Sequence, residues 1–273
     1  MMSWFLDDER EDEEAHFVDA AAYLKTYDHS EKYDQPPFFS NQKDQISRLL
    51  DRLIREYQEP PLIGLHALDV GCGDGAFVDS FKRVGCRVNG IDPSFEMIRR
   101  AQLYHPGVLF TPLTLPEWMD LHPGELFSIV SCLRAIYHTE NVYSMLGDLA
   151  AVVGPGGMLI IEADNPTTIL DWWNRMWSKI LKVDDSDVYY EERSLNYNYT
   201  RRGMIKVLEA SGWEVDTFGV NLLTRLLPSC VTTSSSCGPV VRWLSRFLSK
   251  FDKFVAPFFP GLSCSFVLMA VKD

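Results

Sequence analysis

The stretch Ala67-Leu68-Asp69-Val70-Gly71-Cys72-Gly73-Asp74-Gly75-Ala76-Phe77 limits what this chain can fold into more than any other segment. It carries an apolar run into a bend paved with glycines and then reopens as a helix. Glycine tolerates the unusual backbone angles of such a bend and lets backbone N–H groups come close to a ligand. A short strand follows, Arg87-Val88-Asn89-Gly90-Ile91-Asp92, ending in a carboxylate. An acid at the tip of the strand beside a glycine bend can accept both hydroxyls of a ribose. Together the two segments predict a nucleoside-bearing cofactor at the C-terminal ends of the strands of an open α/β sheet.

The run Asp69-Val70-Gly71-Cys72-Gly73-Asp74-Gly75 resembles the first motif of the class I S-adenosylmethionine-dependent methyltransferases more than the dinucleotide fingerprint, whose third glycine falls later. The spacing to Asp92 agrees with that family. So does Gly154-Pro155-Gly156-Gly157-Met158-Leu159-Ile160-Ile161, which resembles the family's turn into its fifth strand. The resemblance covers roughly residues 42 to 219 and the last strand. It implies an α/β fold with a doubly wound, mostly parallel seven-stranded sheet, S-adenosyl-L-methionine as cofactor, and methyl transfer as the activity.

By the same resemblance, Asp69 organises the loop and meets the methionine end of the cofactor. Gly71, Cys72 and Gly73 let the chain pass beside its amino acid and sugar, and Asp92 holds the ribose through charge-assisted bonds. Pro93, Phe95 and Met97 wall the adenine, and Cys132, ending the fourth strand, lines the methionine pocket. Phe95, Met97 and Cys132 each have a plain alternative as core residues. The chain departs from the family pattern at Phe110-Thr111-Pro112-Leu113-Thr114-Leu115-Pro116, where many relatives place an acid against the adenine amino group. Backbone groups of Thr111 or Leu113 are left to make that contact.

Apolar spacing over 45–57 (Ile46, Leu49, Leu50, Ile54) predicts a helix with one buried face. Strands follow at about 64–70, 87–92, 108–110, 127–132 and 159–162, with helices over 76–84, 94–102 and 141–153. A helix over 201–210 and strands over 213–218 and 262–271 complete the pattern. Repeated strand and helix order implies right-handed crossovers and a doubly wound sheet. Residues 1–41 are read as an acidic tail and N-terminal cap, in which Phe38 and Phe39 either cover the cleft or pack conventionally. Residues 42–273 form the catalytic domain.

Two insertions, 165–199 and 220–261, are expected to form helical lids. The first carries Trp172, Trp173, Trp177, Tyr189, Tyr190, Tyr197 and Tyr199 at the ligand end of the sheet. The second sets Val240, Trp243, Leu244, Phe247, Leu248, Phe251, Phe254 and Val255 on one helical stripe, with Arg242, Arg246, Lys250 and Lys253 off it. That amphipathic face has three candidate occupants: an internal lid or core contact, placed first, a second copy of the chain, or a membrane surface.

The formal net charge of -12 argues against a large nucleic-acid surface. Seven of the eight residues from Asp7 to Glu14 are acidic, the pattern of a solvated tail. The six cysteines lack the tight pairs of a zinc site or disulfide scaffold, so a reduced cytoplasmic enzyme that needs no metal is expected. No basic segment followed by an apolar core opens the sequence.

Methyl transfer from a sulfonium needs alignment of the nucleophile and, where the acceptor must lose a proton, a base. His138, in Arg134-Ala135-Ile136-Tyr137-His138-Thr139-Glu140 after the fourth strand, has a suitable pKa range. Tyr137 and Arg134 are candidates to orient the acceptor, and each of the three also has a structural reading. The aromatic insertions favour a bulky, partly apolar small molecule, methylated at oxygen. Carbon or nitrogen methylation, transfer RNA modification and a nonenzymatic cofactor-binding scaffold stay open as rivals.

Overall fold

The computed structural model describes residues 37–57, 64–165, 199–222, 247–248 and 250–272, with side chains described from residue 42 onward. Most of both expected insertions and the acidic tail therefore lie outside the described residues. The elements are α1 (Pro37–Tyr57), β1 (His66–Val70), α2 (Val78–Arg83), β2 (Arg87–Ile91), α3 (Phe95–Tyr104), β3 (Leu109–Thr111), α4 (Leu115–Leu121), β4 (Phe127–Leu133), α5 (Val142–Ala151), β5 (Val153–Asp164), α6 (Arg201–Ala210), β6 (Glu214–Val220) and β7 (Ser265–Val271). Short 3-10 turns occupy Ile136–His138 and Ala256–Phe258.

The seven strands form one sheet in the order β3-β2-β1-β4-β5-β7-β6. Strands β1 to β5 pair in parallel, and only β7 runs against its neighbours β5 and β6. The order reverses between β1 and β4, and in open α/β sheets a ligand crevice forms at such a switch point. The central strands are buried on both faces, which is why Leu68, Val70, Ile129, Val130, Ile160 and Ile161 read as continuous apolar runs. One hydrophobic cluster joins the sheet to α4, α5 and α6, and the other joins it to α1, α2 and α3.

Helix α1 is longer than its periodicity predicted and begins at Pro37, so Phe38 and Phe39 fall within its first turn, their side chains lying outside the described set. Ile46, Leu49, Leu50, Leu53 and Ile54 are all buried. Each such side chain contributes about 1.5–3 kcal/mol. Helix α4 has no counterpart in the periodicity, because its start is written in capping chemistry. Thr114 accepts from Glu117 N–H, and the Glu117 carboxylate accepts from Thr114 N–H at 2.8 Å, a capping box with Pro116 in the first turn.

The glycine turn expected before β5 lies inside that strand. Register jumps from Phe127↔Val153 to Ile129↔Met158, so β4 advances by two residues while β5 advances by five. Gly157 sits at the tightest point, where a Cβ would lie 2.7 Å from Gly154 O and 3.1 Å from Ser128 O.

The described end of the second insertion shows part of the stripe. Residues 247, 248 and 250–255 are helical, with Phe247, Phe251 and Phe254 exposed and Asp252 fully buried.

Candidate functional site

The glycine bend emerges from β1 at the switch point. Gly71 N–H and Cys72 N–H both donate to Ile91 O, at 2.8 and 3.0 Å, which folds the bend over the end of β2. Gly71 adopts φ 70 and Gly73 φ 54, in the left-handed region where a side chain costs energy. Space makes the same demand at Gly71, since an added Cβ would collide with the Ala135 side chain. The bend therefore lies directly against the loop that follows β4 and carries Arg134, Tyr137 and His138.

Asp92 stands at the tip of β2. Its Oδ2 accepts from Gly73 N–H at 3.0 Å and its Oδ1 from Ser94 N–H at 2.8 Å. Ser94, not Asp92, caps α3 by accepting from Met97 N–H. A carboxylate offers about four lone-pair sites, so two remain for a ligand's hydroxyls. Burial pushes the Asp92 carboxyl upward, and the two N–H donors pull it back. Pro93 is half-buried. Met97 lies beside the bend, its methyl 3.3 Å from where a Gly73 Cβ would stand. Phe95 is exposed.

Asp69 is buried beneath the bend. Ser131 Oγ donates to its Oδ1 at 2.6 Å, whereas its buried Oδ2 has no hydrogen-bond partner among the described residues. Burial raises its pKa to about 7, the Ser131 bond opposes that rise, and the nearby Asp92 charge adds to it. An orphaned carboxylate oxygen in a dry site is a place where a cationic ligand group would be welcome. The orphaned Asp69 oxygen, the side-chain-free backbone of Gly71 and Gly73, and the spare lone pairs of Asp92 fit a ligand with an ammonium at one end and a ribose beyond it.

Five further expected site residues are placed as follows. Cys72 turns into the core, where its Sγ would lie 2.8 Å from a Cβ on Gly90, and burial raises its thiol pKa. Cys132 is fully buried in the cluster beneath β4, and burial likewise pushes its thiol up. Tyr137 is 5% exposed, with its ring in that same cluster and 4.9 Å from the His138 ring. Leu113 N–H donates to Thr111 O at 2.9 Å, and Thr111 O also accepts from Asp92 N–H, so those two groups already have partners within the chain.

Arg134 adopts φ 60, rare for a residue with a side chain and a mark of strain imposed by its surroundings. The strain lets the chain leave β4 sharply and enter the 3-10 turn, where His138 N–H donates to Ala135 O at 3.0 Å. Thr139 Oγ1 closes the turn on Ile136 O at 2.8 Å. His138 is half-buried at the end of this turn.

One acid was missed by sequence reasoning. Glu162, on β5 beside Leu133, is fully buried. Gln42 Nε2 on α1 donates to its Oε1 at 3.2 Å and to Ser265 Oγ on β7 at 3.1 Å. Its Oε2 has no hydrogen-bond partner among the described residues. Burial and the Asp164 charge raise its pKa to about 7, while Arg134, Ser265 and Gln42 favour the ionised form. An acid ending the run Met158-Leu159-Ile160-Ile161 was the available signal. Nearby, Gln45 Nε2 donates to Asn221 Oδ1 at 2.7 Å, so the inner face of α1 is tied at two points to the ligand end of the sheet.

A family model described as a methyltransferase domain matches residues 38–217. A ubiquinone biosynthesis O-methyltransferase from Bradyrhizobium sp. (strain ORS 278) is 33% identical over 153 residues, 49% of this chain and 59% of that protein. The enzyme of the same name from Albidiferax ferrireducens is 26% identical over 183 residues, 60% of this chain and 72% of its own length. The match thus spans little more than half of the first of these relatives. Among solved structures, the fold is similar to magnesium protoporphyrin IX methyltransferase from Synechocystis PCC 6803 with bound SAH, at TM-score 0.57 and 18% identity, covering 94% of this chain and 100% of that one. It is also similar to a plantazolicin methyltransferase in complex with a pentazolic desmethylPZN analog and SAH, at TM-score 0.58 and 14% identity, covering 97% and 99%.

Proposed function

This chain belongs to the class I S-adenosylmethionine-dependent methyltransferase family, and from that premise we propose that it transfers a methyl group to an oxygen of a bulky, partly apolar small-molecule acceptor. The observation that carries this reading is the contact between Gly71 and Ala135, which sets the donor loop against the loop bearing His138. The names of the O-methyltransferase relatives support oxygen as the acceptor atom and a quinol-like ring as the acceptor type.

When bound, the cofactor supplies a methyl group already activated on a sulfonium. Asp69 would hold its cationic methionine end and Asp92 its ribose, with the bare backbone of Gly71 and Gly73 alongside. The remaining work is positioning and proton removal. His138, half-buried on a turn pinned by Ala135 and Ile136, takes the acceptor's hydroxyl proton as the oxygen becomes nucleophilic. Arg134, held in its strained backbone, places a cation where the developing phenolate gains stabilisation. Tyr137 supports this turn from the core.

A matched set of alkylated aromatic acceptors, differing only in a hydroxyl, an amine or an activated carbon, tests the proposal. Product analysis by NMR is expected to place the methyl on oxygen. Methylation of the amine or carbon analogue with none of the phenol would overturn it.

A further inference from the structure

Among the described residues, the second insertion presents a surface unlike the rest of this acidic protein. Its helical residues 247, 248 and 250–255 anchor through Asp252, whose Oδ1 accepts from Leu222 N–H at 3.0 Å in the interior. With about 100° per residue, Phe247, Phe251 and Phe254 form one stripe turned well away from Asp252. The chain then continues through the 3-10 turn with Phe258 and Phe259. These five phenylalanines are between 43% and 77% exposed. Lys250 and Lys253 are exposed along the flank of the stripe, with Lys253 Nζ 4.8 Å from the centre of the Phe254 ring. The helical stretch exposes no carboxylate, because its one acid is Asp252.

The position of this face matters. Asn165, the residue leaving β5, donates through Nδ2 to Pro260 O at 2.8 Å and Ser263 O at 2.7 Å. Ser263 Oγ in turn donates to Phe259 O at 2.9 Å. The aromatic segment is thereby fastened to the end of the sheet where Asp69, Asp92 and His138 gather.

We propose that this phenylalanine and lysine face docks the protein onto the surface of an anionic lipid bilayer, with the ligand end of the sheet turned toward the lipid. Interfacial helices have this composition: aromatic side chains enter the acyl boundary and lysines meet the anionic headgroups. The phenylalanines expose on the order of 500 Å². A stable protein interface needs about 800 Å² on each partner. Self-pairing about a two-fold axis would also bring Lys250 and Lys253 of each copy to a matching surface that offers them no acid from this stretch. The formal net charge of -12 makes the orientation specific, since an anionic surface repels the rest of the molecule and attracts this basic edge.

Co-sedimentation of the full chain with vesicles of phosphatidylcholine, or of phosphatidylcholine mixed with phosphatidylglycerol, tests the proposal. Binding is expected to the mixed vesicles, to weaken as salt is raised, and to fall at least about tenfold in the double variant Phe254→Ser, Phe258→Ser. Lys250→Glu with Lys253→Glu is expected to remove the preference for phosphatidylglycerol. All four side chains are exposed, so thermal melting of both variants should match the parent. Absence of vesicle binding, equal binding by parent and phenylalanine variant, or a dimer by light scattering that the phenylalanine substitutions dissociate would each overturn it.

Discussion

Asp92, at the tip of β2, and Glu162, within β5 two residues before its end, stand in two halves of one sheet, and they are held in opposite ways. Asp92, in the half formed by β1, β2 and β3, takes its hydrogen bonds from backbone N–H groups of Gly73 and Ser94. Glu162, in the half formed by β4, β5 and β7, depends on the side chains of Gln42 and Ser265, brought together from near the two ends of the chain. Around Asp92 the geometry is local backbone, which a short motif encodes, while Asp69 beside it is held by the Ser131 side chain from β4. The half around Glu162 is built from long-range side-chain choices.

The contrast fails first at Gly71 if it is wrong. Gly71→Val adds a branched side chain at positive φ against Ala135, and a loss of about 3 kcal/mol is expected. Thermal melting checks this, and a variant as stable as the parent would show that the two loops do not abut. Next in size is Asp92→Asn. It keeps an acceptor oxygen for Gly73 or Ser94 but loses the charge offered to the ribose, so calorimetry should show cofactor affinity falling roughly 10–30-fold. Native-like affinity would remove Asp92 from the donor site.

Glu162→Gln probes the other half. Burial raises its carboxyl pKa from the ordinary 4.5 to about 7, so the folded state binds the proton more tightly than the unfolded chain. The resulting stability is fully present below about pH 4.5 and is lost as pH rises through about 7. The amide should therefore be the more stable protein at pH 8, by on the order of 2 kcal/mol, and its melting temperature should vary less between pH 5 and 8. A less stable amide at pH 8 would mean that the charge itself holds α1 to the sheet.

The smallest effect is on donor binding. Because burial raises the Asp69 pKa to about 7, its carboxylate forms as pH rises through that value, and affinity for the cationic cofactor should increase several-fold from pH 6 to 8. Calorimetry at both pH values measures it, and an affinity independent of pH would separate Asp69 from the methionine end.

The same contrast explains what the sequence disclosed. Strand order, the donor bend and Asp92 were legible because glycine spacing and apolar runs act over a few residues. The burial of Cys72 was not legible, because a cysteine beside a glycine motif carries no mark of which way it faces, and Gly90 leaves the space its sulfur approaches. Helix α4 escaped because a seven-residue helix offers too few turns for periodicity, although its Thr114 and Glu117 capping pair was in plain view. The buried setting of Glu162 was not legible because its partner Gln42 is 120 residues away. The exposed phenylalanines share the spacing of a buried stripe, and only the inward turn of Asp252 distinguishes the two.

The most direct test is a single-turnover measurement of ether formation by His138→Ala, saturated with S-adenosylmethionine and given an alkylated catechol. Cofactor affinity should equal that of the parent, because the donor half is built without His138, while ether formation should slow about 100-fold or more. An unchanged rate of ether formation would contradict the assignment of His138 as the base beside the donor.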